Sequence, residues 1–214
     1  SVAVDDGWTF TGWTPTLTDN TVTITGNTSV TANYSQNEYT LDVVSAHGTV
    51  TKSPDQDTYH YGDSVILSVA VDDGWTFTGW TPTLTADTVT ITGNTSVTVN
   101  YTQNEYTLDV VSAHGTVTKD PQQDTYHYGD SVTLSVLTET GWTFTGWTPT
   151  LTADTVTITG NTSVTANYTQ NEYTLTVNSE HGTVTKNPQK DTYHYGDSVT
   201  LSVLTETGWT FTGW

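Results

Sequence analysis

The chain has 214 residues, with 23 Asp and Glu against 4 Lys and no Arg, a formal net charge of −19, no Cys and 53 Thr. A chain this acidic has no surface to neutralise phosphates, so nucleic acid is a poor partner. Without cysteine, neither disulfide stapling nor thiolate chemistry is open, and no apolar run is long enough for a membrane span in this segment.

The aromatic residues recur. Trp8, Trp75, Trp142 and Trp209 are 67 residues apart, as are Trp13, Trp80, Trp147 and Trp214, and a fixed period of this size means tandem supersecondary units. Residues 39–105 and 106–172 differ at 8 of 67 positions, and 1–38 differ from 68–105 at 4. In chain order the expectation is the C-terminal part of one module (1–38), two complete modules (39–105 and 106–172) and the N-terminal part of a fourth (173–214). Residues 1–13 and 202–214 occupy the same module positions, as in a window cut from a longer array.

Within 106–172, alternation at period 2 dominates and helical periodicity is absent. Tyr106 to Ala113 reads as a strand, His114-Gly115 as a turn with Gly at positive φ, and Thr116–Lys119 as the returning arm of a hairpin. Asp120 to Thr125 is a loop, and Tyr126-His127-Tyr128 a short strand ended by Gly129-Asp130. Val132, Leu134 and Val136 alternate inward on the next strand. An aromatic strand follows with Trp142, Phe144 and Trp147, the last out of parity unless Gly146 resets it. Val156 and Ile158, the turn Gly160-Asn161, and Val164, Ala166 and Tyr168 complete the module.

These are about seven short strands and no helix. The fold class is all-β: tandem small β modules, β-grasp-like or small-sandwich-like, with period 67 in an extended array. The expected core is Leu108, Val110, Val117, Tyr126, Tyr128, Val132, Leu134, Val136, Phe144, Trp147, Val156, Ile158, Val164 and Tyr168. A 67-residue domain is near the lower limit for an independent core, and buried rings compensate at about 150–250 Å² each. Thr at outward positions is a strand former that stays solvated. Only Thr169–Glu172 separate Tyr168 from Tyr173, too little for a flexible linker.

The signature Tyr-x-Leu-x-Val, Gly-x-Val, Tyr-x-x-Gly-x-x-Val-x-Leu, Gly-Trp-x-Phe-x-Gly-Trp and Thr-x-Val-x-Ala-x-Tyr is carried by Tyr106, Leu108, Val110, Gly115, Val117, Tyr126, Gly129, Val132, Leu134, Gly141, Trp142, Phe144, Gly146, Trp147, Thr162, Val164, Ala166 and Tyr168. With these residues the chain resembles the divergent B-repeat modules of internalin-like bacterial and archaeal surface proteins. Val99 stands where Ala166 does, a mild departure. The resemblance implies a small all-β module, strung in tandem on secreted or wall-attached proteins as a stalk or spacer with occasional adhesive roles. It implies no enzymatic activity.

Chemistry is sparse. Asp72-Asp73 become Glu139-Thr140 one module later, which removes the second acid a general acid/base pair needs. Calcium is the metal to consider, with weak candidates Asp55, Asp57, Asp63, Asp124 and Asp130 in or near loops, but no regular Asp-x-Asp-x-Asp-Gly loop. His47, His60, His114, His127, His181 and His194 supply two imidazoles per module, short of a zinc set. Lys52, Lys119 and Lys186 recur at one position, either for an intramolecular isopeptide bond or as edge protection. The aromatic patch Trp75, Phe77, Trp80 and Trp142, Phe144, Trp147 serves packing or sugar binding. Sequons at Asn27, Asn33, Asn94, Asn100, Asn161 and Asn167 are candidate glycosylation sites.

The expected role is a structural repeat segment of an extracellular stalk, adhesin or surface filament, assembling end to end through its incomplete terminal modules. Its partners are then other copies of itself or neighbouring modules. The alternative is a repeated binding module for a glycan or a host or partner-cell protein, with avidity from repetition. Exposure of Trp142 separates the two readings.

Overall fold

Alternating Val and Leu between outward Thr and Ser make strands with one buried and one wet face. The structure, a computed structural model, describes residues 2–214, and its contacts divide the chain into two units, Ser1–Asn104 and Glu105–Trp214.

In the first unit, β1 (Trp8–Thr14) pairs antiparallel with β2 (Thr31–Gln36). Then follow β3 (Leu41–Val44), β4 (Gly48–Ser53), β5 (Ser64–Val71), β6 (Trp75–Thr81), β7 (Thr88–Thr90) and β8 (Thr95–Gln103). They form two three-stranded sheets, β4-β5-β7 and β3-β8-β6. The second unit repeats the pattern with β9 (Leu108–Ser112), β10 (Gly115–Asp120), β11 (Ser131–Thr138), β12 (Trp142–Thr148), β13 (Thr155–Thr157) and β14 (Thr162–Gln170). Its sheets are β10-β11-β13 and β12-β14-β9. After them come β15 (Glu172–Tyr173), β16 (Gly182–Asn187), β17 (Tyr193–His194) and β18 (Thr200–Thr205). No described residue is helical.

Each pair of sheets closes on one core, so the small sandwich is the form the strands take. In the second unit the core holds Leu108, Tyr126, Val132, Leu134, Trp147, Val156, Ile158, Val164 and Ala166, drawn from both sheets. Val110, Val117, Val136, Phe144 and Tyr168 pack around it half-buried. Ala166 and Leu151 belong to this cluster although they are too small or too near a turn for periodicity to single them out. Tyr128 does not belong: it is 41% exposed. Tyr126 makes only an isolated bridge to Tyr106, and Gly129 turns the chain, so no continued strand carries Tyr128 inward beside Tyr126.

The expected hairpin between 106–113 and 116–119 is not formed. β9 pairs in parallel with β14, Leu108 opposite Thr162 and Val110 opposite Val164, while β10 pairs antiparallel with β11. The first and last strands of the repeat are therefore neighbours, and residues 112–115 form a corner between sheets. Gly115 is needed there for close approach, its φ lying outside the left-handed region: a Cβ would sit 2.7 Å from the Tyr168 hydroxyl and 2.8 Å from the Leu137 carbonyl oxygen.

Two other local devices matter. A bulge between Phe144 and Gly146 shifts the β12–β14 register, which brings Trp147 onto the buried side with Phe144. The segment Thr152–Thr155 is a tight turn in which Ala153 and Asp154 both have positive φ, 51° and 54°, closed by the Thr155 N–H donating to the Thr152 carbonyl at 3.1 Å.

Candidate functional site

Gly141 precedes β12 and Gly146 lies within it, so the aromatic strand starts and bends at fixed points. Trp147 is 6% exposed in the core. Its indole N–H donates to Asp154 Oδ1 at 2.8 Å, which satisfies the one polar atom a buried indole carries. Phe144 meets it edge-on at 5.0 Å. Trp142 is half-buried and lies flat on His114, ring centroids 3.4 Å apart and planes 6° from parallel. His114 also meets the edge of Tyr168, and its Nδ1 is 3.5 Å from Glu139 Oε2. The Tyr168 hydroxyl lies 2.6 Å from Ser112 Oγ, which donates to the Gly115 carbonyl at 2.7 Å.

The first unit builds the same cluster. Trp75 stacks on His47 at 3.5 Å, Phe77 meets Trp80 at 5.3 Å, and Trp80 donates to Asp87 Oδ1 at 2.7 Å. One face of each flanking indole is thus covered by an imidazole of its own repeat, and the other Trp is inside. The role of His47 and His114 as stacking partners, and of Asp87 and Asp154 as indole acceptors, was not legible from spacing. The stacking pair is separated by 28 residues, and only their shared 67-residue recurrence links them.

The loop acids are held by other partners. Asp63 and Asp130 each accept a backbone N–H three residues back, from His60 and His127, at 2.8 Å. Asp197 accepts the His194 N–H at 3.0 Å. That hydrogen bond, with Lys190 nearby, holds its carboxyl below the usual range. Asp55 pairs with Lys52 at 3.4 Å. Among the described residues no three His, Asp or Glu converge as a metal would require; Asp55, Asp57 and Asp63 are not drawn together, nor are Asp124 and Asp130 joined by a third.

Two of the lysines face carbonyls, while Lys52 and Lys190 pair with Asp55 and Asp197. Lys119 Nζ donates to the Leu108 carbonyl at 2.5 Å, and Lys186 to that of Leu175, so each bridges two segments of its repeat through a backbone oxygen and not through a carboxyl side chain.

The sequons fall into two classes. Asn27, Asn94 and Asn161 are exposed at turns, and Asn94 and Asn161 accept the N–H of Thr40 and Thr107 at 3.0 Å through Oδ1. Asn33, Asn100 and Asn167 are half-buried in mid-strand, and their amide nitrogens donate to Thr14, Thr81 and Thr148 at 2.7, 2.9 and 2.9 Å.

A cavity lined by Leu175, Val199 and Leu201 with Tyr173 and Tyr193 opens in the second unit. The residues one period earlier, Leu108, Val132 and Leu134, lie in the core with Ile158 and Val164. The cavity wall is therefore core-forming surface of the same kind, with His194 and Asp197 among its polar lining residues.

Comparison with protein families matches residues 2–38, 39–105, 106–172 and 173–214, each to a domain described as the divergent InlB B-repeat domain. No curated protein matches the chain.

Proposed function

The chain belongs to the divergent InlB B-repeat family, a non-catalytic surface repeat with a structural or adhesive extracellular role, and from that premise we propose that this segment is a spacer. In this reading it is a stalk or filament section that sets the distance between an anchor and whatever the rest of the surface protein presents. Its partners are neighbouring repeats and other copies of itself. The observation that carries the reading is the His114–Trp142 stack, matched by His47–Trp75. One of the two ring faces that a sugar could use is occupied inside the repeat, while Trp80 and Trp147 are core. The reading takes 39–105 and 106–172 as the folding units. Where a host glycosylates its surface proteins, the turn residues Asn27, Asn94 and Asn161 suit an acceptor better than the strand residues, whose amide nitrogens already donate across the sheet.

Pulling the full chain by its ends tests this. Unfolding of complete repeats releases about 220–240 Å of contour per 67-residue step, whereas larger steps would make the two contact units the cooperative blocks and discard the repeat as the mechanical element. A glycan array run on the same chain is expected to retain nothing. Saturable glycan binding that Trp142→Ala abolishes would replace the spacer with the binding-module reading.

A further inference from the structure

In two repeats the glycine that opens the aromatic strand faces a tyrosine of the repeat that follows. In the first unit a Cβ on Gly7 would lie 2.3 Å from Tyr61 Cβ; in the second, a Cβ on Gly141 would lie 2.6 Å from Tyr195 Cβ and 3.2 Å from its Cγ. The two pairs are related by two whole periods, so one contact has been built twice. Both glycines are buried, and both have φ in the left-handed region, 79° and 88°. Gly208, one period after Gly141, has the same φ of 87° and the same turn, with the Trp209 N–H on the Glu206 carbonyl as Trp142 is on Glu139. Yet Gly208 is exposed and meets no atom within 4 Å.

The same glycine also holds the linker. The Gly7 carbonyl accepts the Asn37 N–H at 2.7 Å, and the Gly141 carbonyl accepts that of Asn171 at 2.8 Å. Thr9 and Thr143 hydroxyls donate to the side chains of Asn37 and Asn171 at 2.6 Å. The chain leaving a repeat is therefore fastened to that repeat at two points, directly beside the glycine on which the next repeat's ring rests.

We infer that this glycine is a docking socket for a second repeat of the same kind, with the tyrosine after Tyr-His as the plug. Two of its features are selective. The absence of a Cβ is what lets the base of the tyrosine side chain, its Cβ and Cγ, reach the backbone, so any other residue in the socket displaces it. The residue before the glycine grades the contact: Asp6 accepts the Tyr61 hydroxyl at 3.1 Å, while Thr140 stands in that place before Gly141. The socket belongs to neighbouring repeats whatever the array serves, so it stands or falls apart from the spacer reading.

The Cys-free chain allows a direct test. Spin labels on Thr145→Cys in β12 and Thr183→Cys in β16, two exposed strand positions, report the spread of distances across the Gly141–Tyr195 contact. The otherwise unaltered chain is expected to show one narrow distribution. Gly141→Ala and Tyr195→Ala should each broaden it roughly twofold or more, since an undocked junction samples many orientations. Tyr195→Phe should keep it narrow, because Cβ and the near edge of the ring, and not the hydroxyl, meet this socket. Gly208→Ala carries the same backbone strain with no ring to displace and should leave the width unchanged. Equal broadening by Gly141→Ala and Gly208→Ala, or a Tyr195→Ala distribution as narrow as the parent's, would overturn the socket. Tyr195 is exposed, so its variant reads the contact even if Gly141→Ala disturbs the fold.

Discussion

At the scale of single residues, the repeat depends on polar side chains that complete an apolar core. Asp154 accepts the indole N–H of the buried Trp147 while sitting at positive φ, and Asp87 does the same for Trp80. In the first stretch Asn20 takes this place, accepting from Trp13 at 2.8 Å. Asp154→Ala strands the indole N–H and puts a β-carbon without a polar partner at a left-handed position, so it should cost about 1–3 kcal/mol. Asp154→Asn should come within about 0.5 kcal/mol of the parent. Urea unfolding followed by tryptophan fluorescence separates the two; equal losses would mean that the charge and not the hydrogen bond matters.

The Tyr61 hydroxyl gives a pH-dependent contact. Its hydrogen bond to Asp6, and the charge of that carboxylate, raise its pKa above the ordinary 10.0. A raised folded-state value means the contribution is full below about pH 10 and lost as pH climbs through the elevated value. Because the side chain faces water, the effect is small. The ultraviolet titration difference between the parent and Tyr61→Phe should show the missing tyrosine ionising above the ordinary range, and Asp6→Asn should bring that step back down. A missing step at the ordinary value would remove the Asp6 contact.

At the scale of elements, the loop Asp120–Thr125 is organised from below. Tyr126 is fully buried, and its hydroxyl donates to the Pro121 carbonyl at 2.9 Å and accepts the Gln123 N–H at 3.3 Å. Tyr59 and Tyr193 repeat the arrangement with Pro54 and Pro188. Tyr126→Phe keeps the core volume and removes both bonds, for an expected loss of about 0.5–1.5 kcal/mol. The specific sign is faster proteinase K cleavage within 120–125 with the strands unaffected; unchanged cleavage would assign the loop's order to its own residues. The segment Asp120–Thr125 was readable as a loop, because Asp and Pro act locally, but the short strand expected at Tyr126–Tyr128 is a single bridge at Tyr126. The loop's anchoring hydroxyl was not readable, because the sequence shows a tyrosine but not what its far end touches.

At the scale of the whole molecule, net charge sets the conditions. With −19 on 214 residues, like charges repel in every folded state. Raising salt from 10 mM to 1 M shortens the screening length from about 30 Å to about 3 Å, so the thermal midpoint should rise. A midpoint that falls or holds would show that the ion pairs Lys52–Asp55 and Lys190–Asp197 outweigh the overall repulsion.

The sequence by itself determined the period, the all-β class, six of the seven expected strands and most of the core, since period-2 alternation, glycine turns and outward threonine act between near neighbours. Tertiary structure alone decided which strands pair. The Ala113–Gly115 turn looks like a hairpin, but Val164 and Ala166 on the final strand must join the core beside Leu108. That draws β9 into a parallel pair with β14 and leaves β10 to β11. It also decided that Gly146 resets the parity of Trp147, that His114 covers Trp142, and that Gly141 receives Tyr195. Each of these joins residues far apart in the chain, where closeness follows from shared burial and backbone clearance, and neither leaves a local pattern to read.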